Sequence, residues 1–161
     1  MKSIELVTIG ADIEFPLFNT DTKQFVSAIP IIKGTKDNPI YMTNGAALHH
    51  DNVMLEVALP ITYTRNEFLN TVQWTMENIK KYLPKNIEIR ILPAAYYHES
   101  EIECTEAKKF GCSPDINVWT GKFNIPPEAE KIGNLRSAGG HIHIGYTTRT
   151  SWLQNKEAHS M

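Results

Sequence analysis

The residue pattern between Val7 and Leu17 restricts the possible fold of this 161-residue chain more than any other feature. All odd positions of this stretch are apolar, while Asp12 and Glu14 occupy neighbouring even positions. Because successive side chains of a β-strand point to opposite faces, the pattern predicts a strand with one apolar face. The two carboxylates are expected side by side on its other face.

Two further stretches repeat this arrangement. In DNVMLEVALP, residues 51–60, the odd positions from Val53 to Leu59 are apolar and Glu56 lies on the opposite face. In GGHIHIG, residues 139–145, His141 and His143 alternate with isoleucines. Each strand is predicted to turn its apolar face to the core. If the three strands belong to one sheet, the carboxylates and imidazoles can meet on a single surface.

The remaining elements predict a mixed fold. Thr64 and Glu67 fit a capping box at the start of a helix, which is expected to end at Pro84. Residues 86–93 read as a further strand, and residues 94–137 as a long irregular segment of the kind that often carries function. The isoleucines expected to face the core from residues 86–93 are Ile87, Ile89 and Ile91.

Clustered carboxylates repel one another, so either one of them takes up a proton or a cation neutralises them. Mg²⁺ prefers carboxylate oxygens, and an imidazole nearby makes Mn²⁺ an alternative. Gly139, Gly140 and Gly145 would let a ligand or another backbone approach closely. Alone, each acidic or histidine pair is more typical of a solvated strand face. Their joint occurrence on several strands favours a binding site.

Composition narrows the class of protein. The chain is 42% hydrophobic and 21% charged, with a formal net charge of -2, which does not favour a nucleic-acid or membrane-surface partner. It has no apolar run long enough to span a bilayer, and no signal-peptide pattern. Two cysteines without a CxxC motif are typical of a reduced compartment. We expect a cytoplasmic protein with a single domain over residues 1–161.

Four segments carry a resemblance to a known family: GADIEF, DNVMLEVALP, FGCSPDINVW and AGGHIHIG. In their order, and in the GGHIHIG stretch above all, the chain resembles the phage-encoded carboxylate–amine ligases, or amidoligases, of the glutamine synthetase and glutamate–cysteine ligase superfamily. The resemblance covers roughly residues 4–146. It implies an α+β fold with a curved antiparallel sheet, helices on the convex face and an active site on the concave face. It also implies the cytoplasm of a phage-infected bacterium.

The resemblance implies a reaction as well. Such enzymes use ATP to phosphorylate a carboxylate, and an amine then displaces phosphate to form an amide. Divalent ions, Mg²⁺ or Mn²⁺, hold the phosphates and offset the charge on the transferring group. The implied cofactors are therefore ATP and one of these ions. The implied partners are a small-molecule carboxylate and an amine.

Roles follow from the resemblance position by position. Asp12 and Glu14 match the acidic pair of the first catalytic strand, and Glu56 an acid of a later strand. His141 matches a metal-binding histidine, and His143 a residue near the nucleotide or the substrate carboxylate. The implied metal ligands are thus Asp12, Glu14, Glu56 and His141.

Two residues are expected at the site on weaker grounds. Arg136 precedes the glycines and is a candidate phosphate contact, or else an ordinary surface arginine. Asp115 lies in a loop expected to line the substrate pocket, or else it stabilises a turn. The expected catalytic residues are Glu14, Glu56 and Arg136. The expected nucleotide contacts are His143 and Arg136.

Family members are usually longer, and their later strands add arginines and another acid. The expected fold is therefore one without the family's C-terminal part. The chain is then a fragment, half of a split enzyme completed by a second polypeptide or a homo-oligomer, or a shortened relative. A shortened relative could be an inactive module that binds a small molecule or a protein. A metal-dependent hydrolase is a further alternative.

Overall fold

The computed structural model describes residues 5–108, 116–125 and 133–148. It shows an α+β fold that is rich in antiparallel sheet and has one α-helix in the described residues. The elements in chain order are β1 (Glu5–Phe15), β2 (Leu17–Asn19), β3 (Gln24–Val26), β4 (Ile40–Tyr41), β5 (Ala47–Asp51), β6 (Met54–Thr62), α1 (Arg65–Asn78), β7 (Ile87–Ile89), β8 (Ala94–Tyr96), β9 (Ile116–Asn117), β10 (Lys122–Phe123), β11 (Leu135–Ser137) and β12 (Gly140–Thr148).

The largest sheet has five antiparallel strands in the order β12–β1–β6–β5–β4. Across it, Asp12 pairs with His141, Glu14 pairs with Glu56, and Glu56 pairs with His49. Directly paired residues of an antiparallel sheet project to the same face. The structure therefore confirms that the three patterned strands share one sheet and that their polar groups share one face.

The helix α1 covers the opposite, apolar face of this sheet. It begins as the sequence predicted, because Thr64 accepts from the Glu67 amide and the Glu67 carboxylate accepts from the Thr64 amide. Its regular hydrogen bonding ends at Asn78, and a 3₁₀ turn, Ile79–Tyr82, continues it toward Pro84. Side chains of α1 pack against the core cluster that contains the buried residues on the apolar face of β6, which are Leu55, Val57 and Leu59.

A second group of buried side chains lies at one end of the polar face. Met54, on the same face of β6 as Glu56, receives a hydrogen bond from the Tyr97 hydroxyl to its sulfur at 3.4 Å. Ala95 of β8 and Ala107 pack in the same group. Because β8 pairs with β11, this packing places residues 135–139 beside the end of β1.

The strand predicted over residues 86–93 is shorter than expected. β7 ends at Ile89, where it pairs with Leu17, the first residue of β2. Beyond Ile89, the pairing between these strands is continued only by a hydrogen bond from the Arg90 amide to the Pro16 carbonyl. Ile91 lies beyond this pairing and is 79% exposed, so the prediction that it faces the core was wrong.

The prediction that β12 turns its isoleucines to the core was also wrong. Ile142 and Ile144 do share a face with Ala11 and Ile9, but they are 70% and 76% exposed. The physical reason is position, since β12 is an edge strand and α1 packs over β6.

The region 94–137 has more structure than the irregular segment that we expected. Its described residues form β8, β11 and a small hairpin of β9 and β10. No helix in the described ranges is both long enough and apolar enough to cross a membrane.

Candidate functional site

Three carboxylates from three strands meet on the polar face of the large sheet. Glu14 of β1, Asp51 of β5 and Glu56 of β6 each offer one oxygen, and these oxygens all lie within 4.8 Å of one another. We refer to these three residues as the carboxylate cluster. The sequence predicted Glu14 and Glu56 at this site but not Asp51.

Strand pairing and a tight turn create the carboxylate cluster. Glu14 and Glu56 are directly paired across β1 and β6. Asp51 is the last residue of β5, and Asn52 turns the chain into β6 with a positive φ of 55°, a conformation that asparagine adopts more readily than most residues. The hairpin between β5 and β6 therefore brings Asp51 back toward the paired glutamates.

The Glu14 carboxylate is fixed from the side by the segment that precedes β12. The Gly139 amide donates to Glu14 Oε2 at 2.6 Å, and the Glu14 amide donates to the Gly139 carbonyl at 3.0 Å. A Cβ at position 139 would lie 3.4 Å from Glu14 Oε2. That is an ordinary van der Waals distance, so the two hydrogen bonds between residues 14 and 139, rather than a lack of space for a Cβ, hold the carboxylate.

Glu56 has the most perturbed carboxyl group of the cluster. The residue is 9% exposed, and burial raises its pKa to about 7, with the charges of Asp51, Asp12 and Glu14 adding to the shift and Lys36 opposing it. Two effects act in the same direction here, because burial and neighbouring negative charge both disfavour an ionised carboxylate. A bound cation would offset both effects and favour the ionised form of Glu56.

His49 lies directly beside the cluster, and the sequence analysis missed it. It pairs with Glu56 across β5 and β6, is 5% exposed, and has its Nε2 3.2 Å from Glu56 Oε2. Burial lowers the pKa of its imidazole, although the nearby Asp51 charge opposes that shift. The alternation in ALHHD, immediately before the Asp-Asn turn, is the sequence signal that places His49 and Asp51 on one face.

A second group of polar side chains lies nearer the sheet edge. His143 Nε2 is 2.8 Å from Asp12 Oδ2, and the His141 and His143 ring centroids are 6.4 Å apart. The side chain of His143 is 64% exposed and that of Asp12 is 31% exposed. We call Asp12, His141 and His143 the edge group. The metal ligands predicted from the sequence are thus divided, with Glu14 and Glu56 in the cluster and Asp12 and His141 at the edge.

The presence of glycine at position 145 of β12 has a local structural explanation that was not predicted from the sequence. A Cβ at this position would lie 2.7 Å from the hydroxyl oxygen of Thr8, its cross-strand partner. Contacts closer than 3.0 Å require one group to move. The glycine therefore allows close side-chain packing between β1 and β12.

Arg136 is buried and its guanidinium donates mainly to the backbone. It donates to the Gly133 and Leu135 carbonyls through Nη1, and to the Ala107 carbonyl through Nε and Nη2. It also lines a small cavity of about 50 Å³ together with Glu14 and Asp51. Because an arginine has five N–H donors, at most one remains for a ligand in this conformation. Asp115, the predicted substrate contact, lies outside the described residues.

The donor set of the carboxylate cluster fits a divalent cation. Mg²⁺ and Mn²⁺ favour carboxylate oxygens, and trans ligands of an octahedral ion with bonds of about 2.1 Å lie about 4.2 Å apart. The three oxygens lie within 4.8 Å of one another, and at least two of their three separations would have to close to the cis distance of about 3.0 Å for them to surround one ion.

Comparisons with known proteins leave the site as the main source of functional information. No protein-family model matches the chain, and neither a curated protein nor a solved structure was found to match it.

Proposed function

We propose that the chain has the sheet of the glutamine synthetase type and acts as an ATP- and Mg²⁺-dependent carboxylate–amine ligase. The observation that carries the proposal is the carboxylate cluster on the polar face of an antiparallel sheet whose other face packs on a helix. The order of the motifs in β1, β6 and β12, and the GGHIHIG stretch, support the same family. Mn²⁺ is the alternative ion.

The cluster supplies what such a reaction requires from the protein. Glu14, Asp51 and Glu56 would hold the cation, which when bound offsets the negative charge of the nucleotide phosphates. In the proposed reaction, a substrate carboxylate oxygen attacks the γ-phosphorus of ATP and ADP leaves. The amine nitrogen then attacks the acyl carbon, phosphate leaves, and the amine gives up a proton.

The edge group would bind the ligand beside the cation. His143 is held at 2.8 Å by Asp12, which fixes the ring while leaving most of it exposed. When both of its nitrogens are protonated, the imidazole can donate from Nε2 to Asp12 and from Nδ1 to a phosphate or a substrate carboxylate. Arg136 adjoins the cluster but donates mainly to carbonyls, so its part in nucleotide binding remains a prediction.

Calorimetric titration with a non-hydrolysable ATP analogue tests this function. We expect binding in the presence of Mg²⁺, loss of binding with a chelator, and loss of binding in Glu14→Gln. Glu77→Gln is the matched control, since Glu77 lies on α1 and bonds only Gln73 among the described side chains. Binding that survives Glu14→Gln and Glu56→Gln together would refute the proposal. Where binding is seen, ADP release with mixtures of acids and amines would identify the substrates.

A second function has its own supporting observation. The apolar face of β12 is exposed at Ile142, Ile144 and Tyr146, and β12 is the edge strand of the large sheet. We propose as the alternative a binding module that pairs this edge with a completing polypeptide or with a second copy of the chain. Tight ligand binding without ADP release would favour this alternative over the ligase.

A further inference from the structure

The carboxylate cluster does not by itself explain why the buried imidazole of His49 makes no hydrogen bond to other described residues. The His49 side chain is only 7% exposed, and neither ring nitrogen has a hydrogen-bond partner in the described part of the chain. Leaving a buried polar group without a partner destabilises the folded state, because the group has lost its hydrogen bonds to water. Since native proteins seldom leave such groups unpaired, the unpaired nitrogens of His49 point to a bound group.

The position of His49 relative to Glu56 resembles that of two ligands of one ion. Its Nε2 lies 3.2 Å from Glu56 Oε2, yet the two atoms are not aligned as a hydrogen bond. For bonds of about 2.1 Å, neighbouring ligands of an octahedral ion lie about 3.0 Å apart. Each ligand directs its lone pair at the ion rather than at the other ligand, which accounts for a short contact without hydrogen-bond alignment.

We propose that His49 Nε2 is a fourth protein ligand of the cation held by Glu14, Asp51 and Glu56, and that it makes the site prefer Mn²⁺ to Mg²⁺. This inference rests on the proposed function, because it assigns the ion of the same site. Imidazole nitrogen suits first-row transition ions better than Mg²⁺, which favours oxygen ligands and retains its water.

His50 provides an internal comparison. It is the next residue of β5, faces the other way, and lies 3.2 Å from the single carboxylate of Glu106. The Glu106 side chain is 54% exposed, and the described residues place no group of three carboxylates there. His50 Nδ1 is likewise buried without an aligned hydrogen bond to a described residue, so a short unaligned contact is common to both histidines. What distinguishes His49 is its place beside the carboxylate cluster.

Calorimetric titration of the full chain with Mn²⁺ and, separately, with Mg²⁺ tests the inference. We expect His49→Gln to weaken Mn²⁺ binding at least about tenfold and Mg²⁺ binding less, so that the preference for Mn²⁺ falls. His50→Gln should leave both affinities unchanged. An unchanged ratio of the two affinities in His49→Gln would overturn the role of His49 while leaving the cation site intact. No binding of either ion by the unaltered chain would overturn the proposed function as well.

Electron spin-echo envelope modulation of the bound Mn²⁺ gives a second measurement that does not depend on the His49 variant folding. The unaltered chain should show the ¹⁴N coupling of a directly bound imidazole. This coupling should persist when His141 and His143 are both changed to glutamine. Absence of ¹⁴N coupling, or its loss in that double variant, would overturn the assignment of His49.

Discussion

At the scale of single residues, Glu56 and His49 are the two groups whose charge states are most tightly linked to the site. They lie side by side in the same buried position, and each is pushed toward its neutral form by burial. Neutral His49 has a free lone pair, whereas Glu56 must lose a proton to bind a cation. The chain thus has a preformed imidazole ligand beside a carboxyl group that ionises near neutral pH.

The raised pKa of Glu56 predicts a specific dependence of stability on pH. The ordinary value is 4.5 and the folded value is about 7, so between these values the folded state holds a proton that the unfolded state has lost. Glu56 therefore favours folding most below pH 4.5, and this contribution is lost as pH rises through 7. In the presence of chelator, we expect Glu56→Gln to be no more stable than the unaltered chain at pH 5. At pH 8 it should be more stable, by about 3 kcal/mol at most.

Urea unfolding at pH 5, 6, 7 and 8 measures this difference. Glu77→Gln controls for the general effect of losing one surface charge. His49 has a lowered pKa and acts in the opposite direction, since its contribution is lost as pH falls below 6.5. For this reason the comparison must be made between Glu56→Gln and the unaltered chain at each pH. A stability difference that does not vary with pH would contradict the prediction.

Asp51 is the cluster member with the clearest separate test. Because it contributes one of the three converging oxygens, Asp51→Asn should weaken Mn²⁺ binding about tenfold or more. Asp37→Asn is a suitable control, since Asp37 is an exposed residue of the Thr35–Asn38 turn. Equal Mn²⁺ affinity in Asp51→Asn and in the unaltered chain, measured by calorimetry, would remove Asp51 from the site.

Period-two alternation was enough to place Asp12, Glu14 and Glu56 on one face from the sequence. The alternation in ALHHD also places His49 and Asp51 on one face, but β5 is too short, with a histidine on each side of the sheet, to be recognised as a strand with one apolar face. Which polar groups of a face actually meet depends on cross-strand register. Register depends on the partners of a strand and on its turns, and alternation within one strand carries no information about either.

At the scale of elements, the start of α1 is the best-defined local signal in the chain. The reciprocal hydrogen bonds of Thr64 and Glu67 satisfy backbone amides that would otherwise have no partner. We expect Thr64→Ala to lower the free energy of unfolding by about 1 kcal/mol, measured by urea denaturation. Thr105→Ala, at an exposed site away from α1, should have little effect. Equal stability of the two variants would show that the capping box is dispensable.

The ends of strands were harder to predict than the start of the helix. Ile87, Ile89 and Ile91 have one alternating pattern, yet only the first two lie in β7, because pairing with β2 ends at Leu17. Likewise, the pattern of β12 is that of a half-buried strand although its isoleucines are exposed. Alternation shows that a stretch can form a strand with an apolar face. It does not show whether another element covers that face.

At the scale of the whole molecule, the exposed face of β12 has a consequence for association. Ile142, Ile144 and Tyr146 lie on one side of an edge strand, and Val7 of the neighbouring β1 adds to the same exposed surface at 51% exposure. Within the described ranges no strand pairs with the outer edge of β12, and such an edge with apolar side chains is a template for pairing with another strand. In solution, we expect the purified chain to form species larger than the monomer, with a fraction that increases with concentration.

Light scattering after size exclusion, over a range of loading concentrations, measures this association. A lysine on an edge strand opposes strand pairing, so Ile144→Lys should shift the population toward the monomer. Ile91→Lys is the matched control, because Ile91 is similarly exposed at 79% but lies outside the described strands. If both variants reduced association equally, general exposed hydrophobicity would explain the result. If the unaltered chain stayed monomeric at every concentration, β12 would not pair with a second copy, and a completing polypeptide would be the partner to seek.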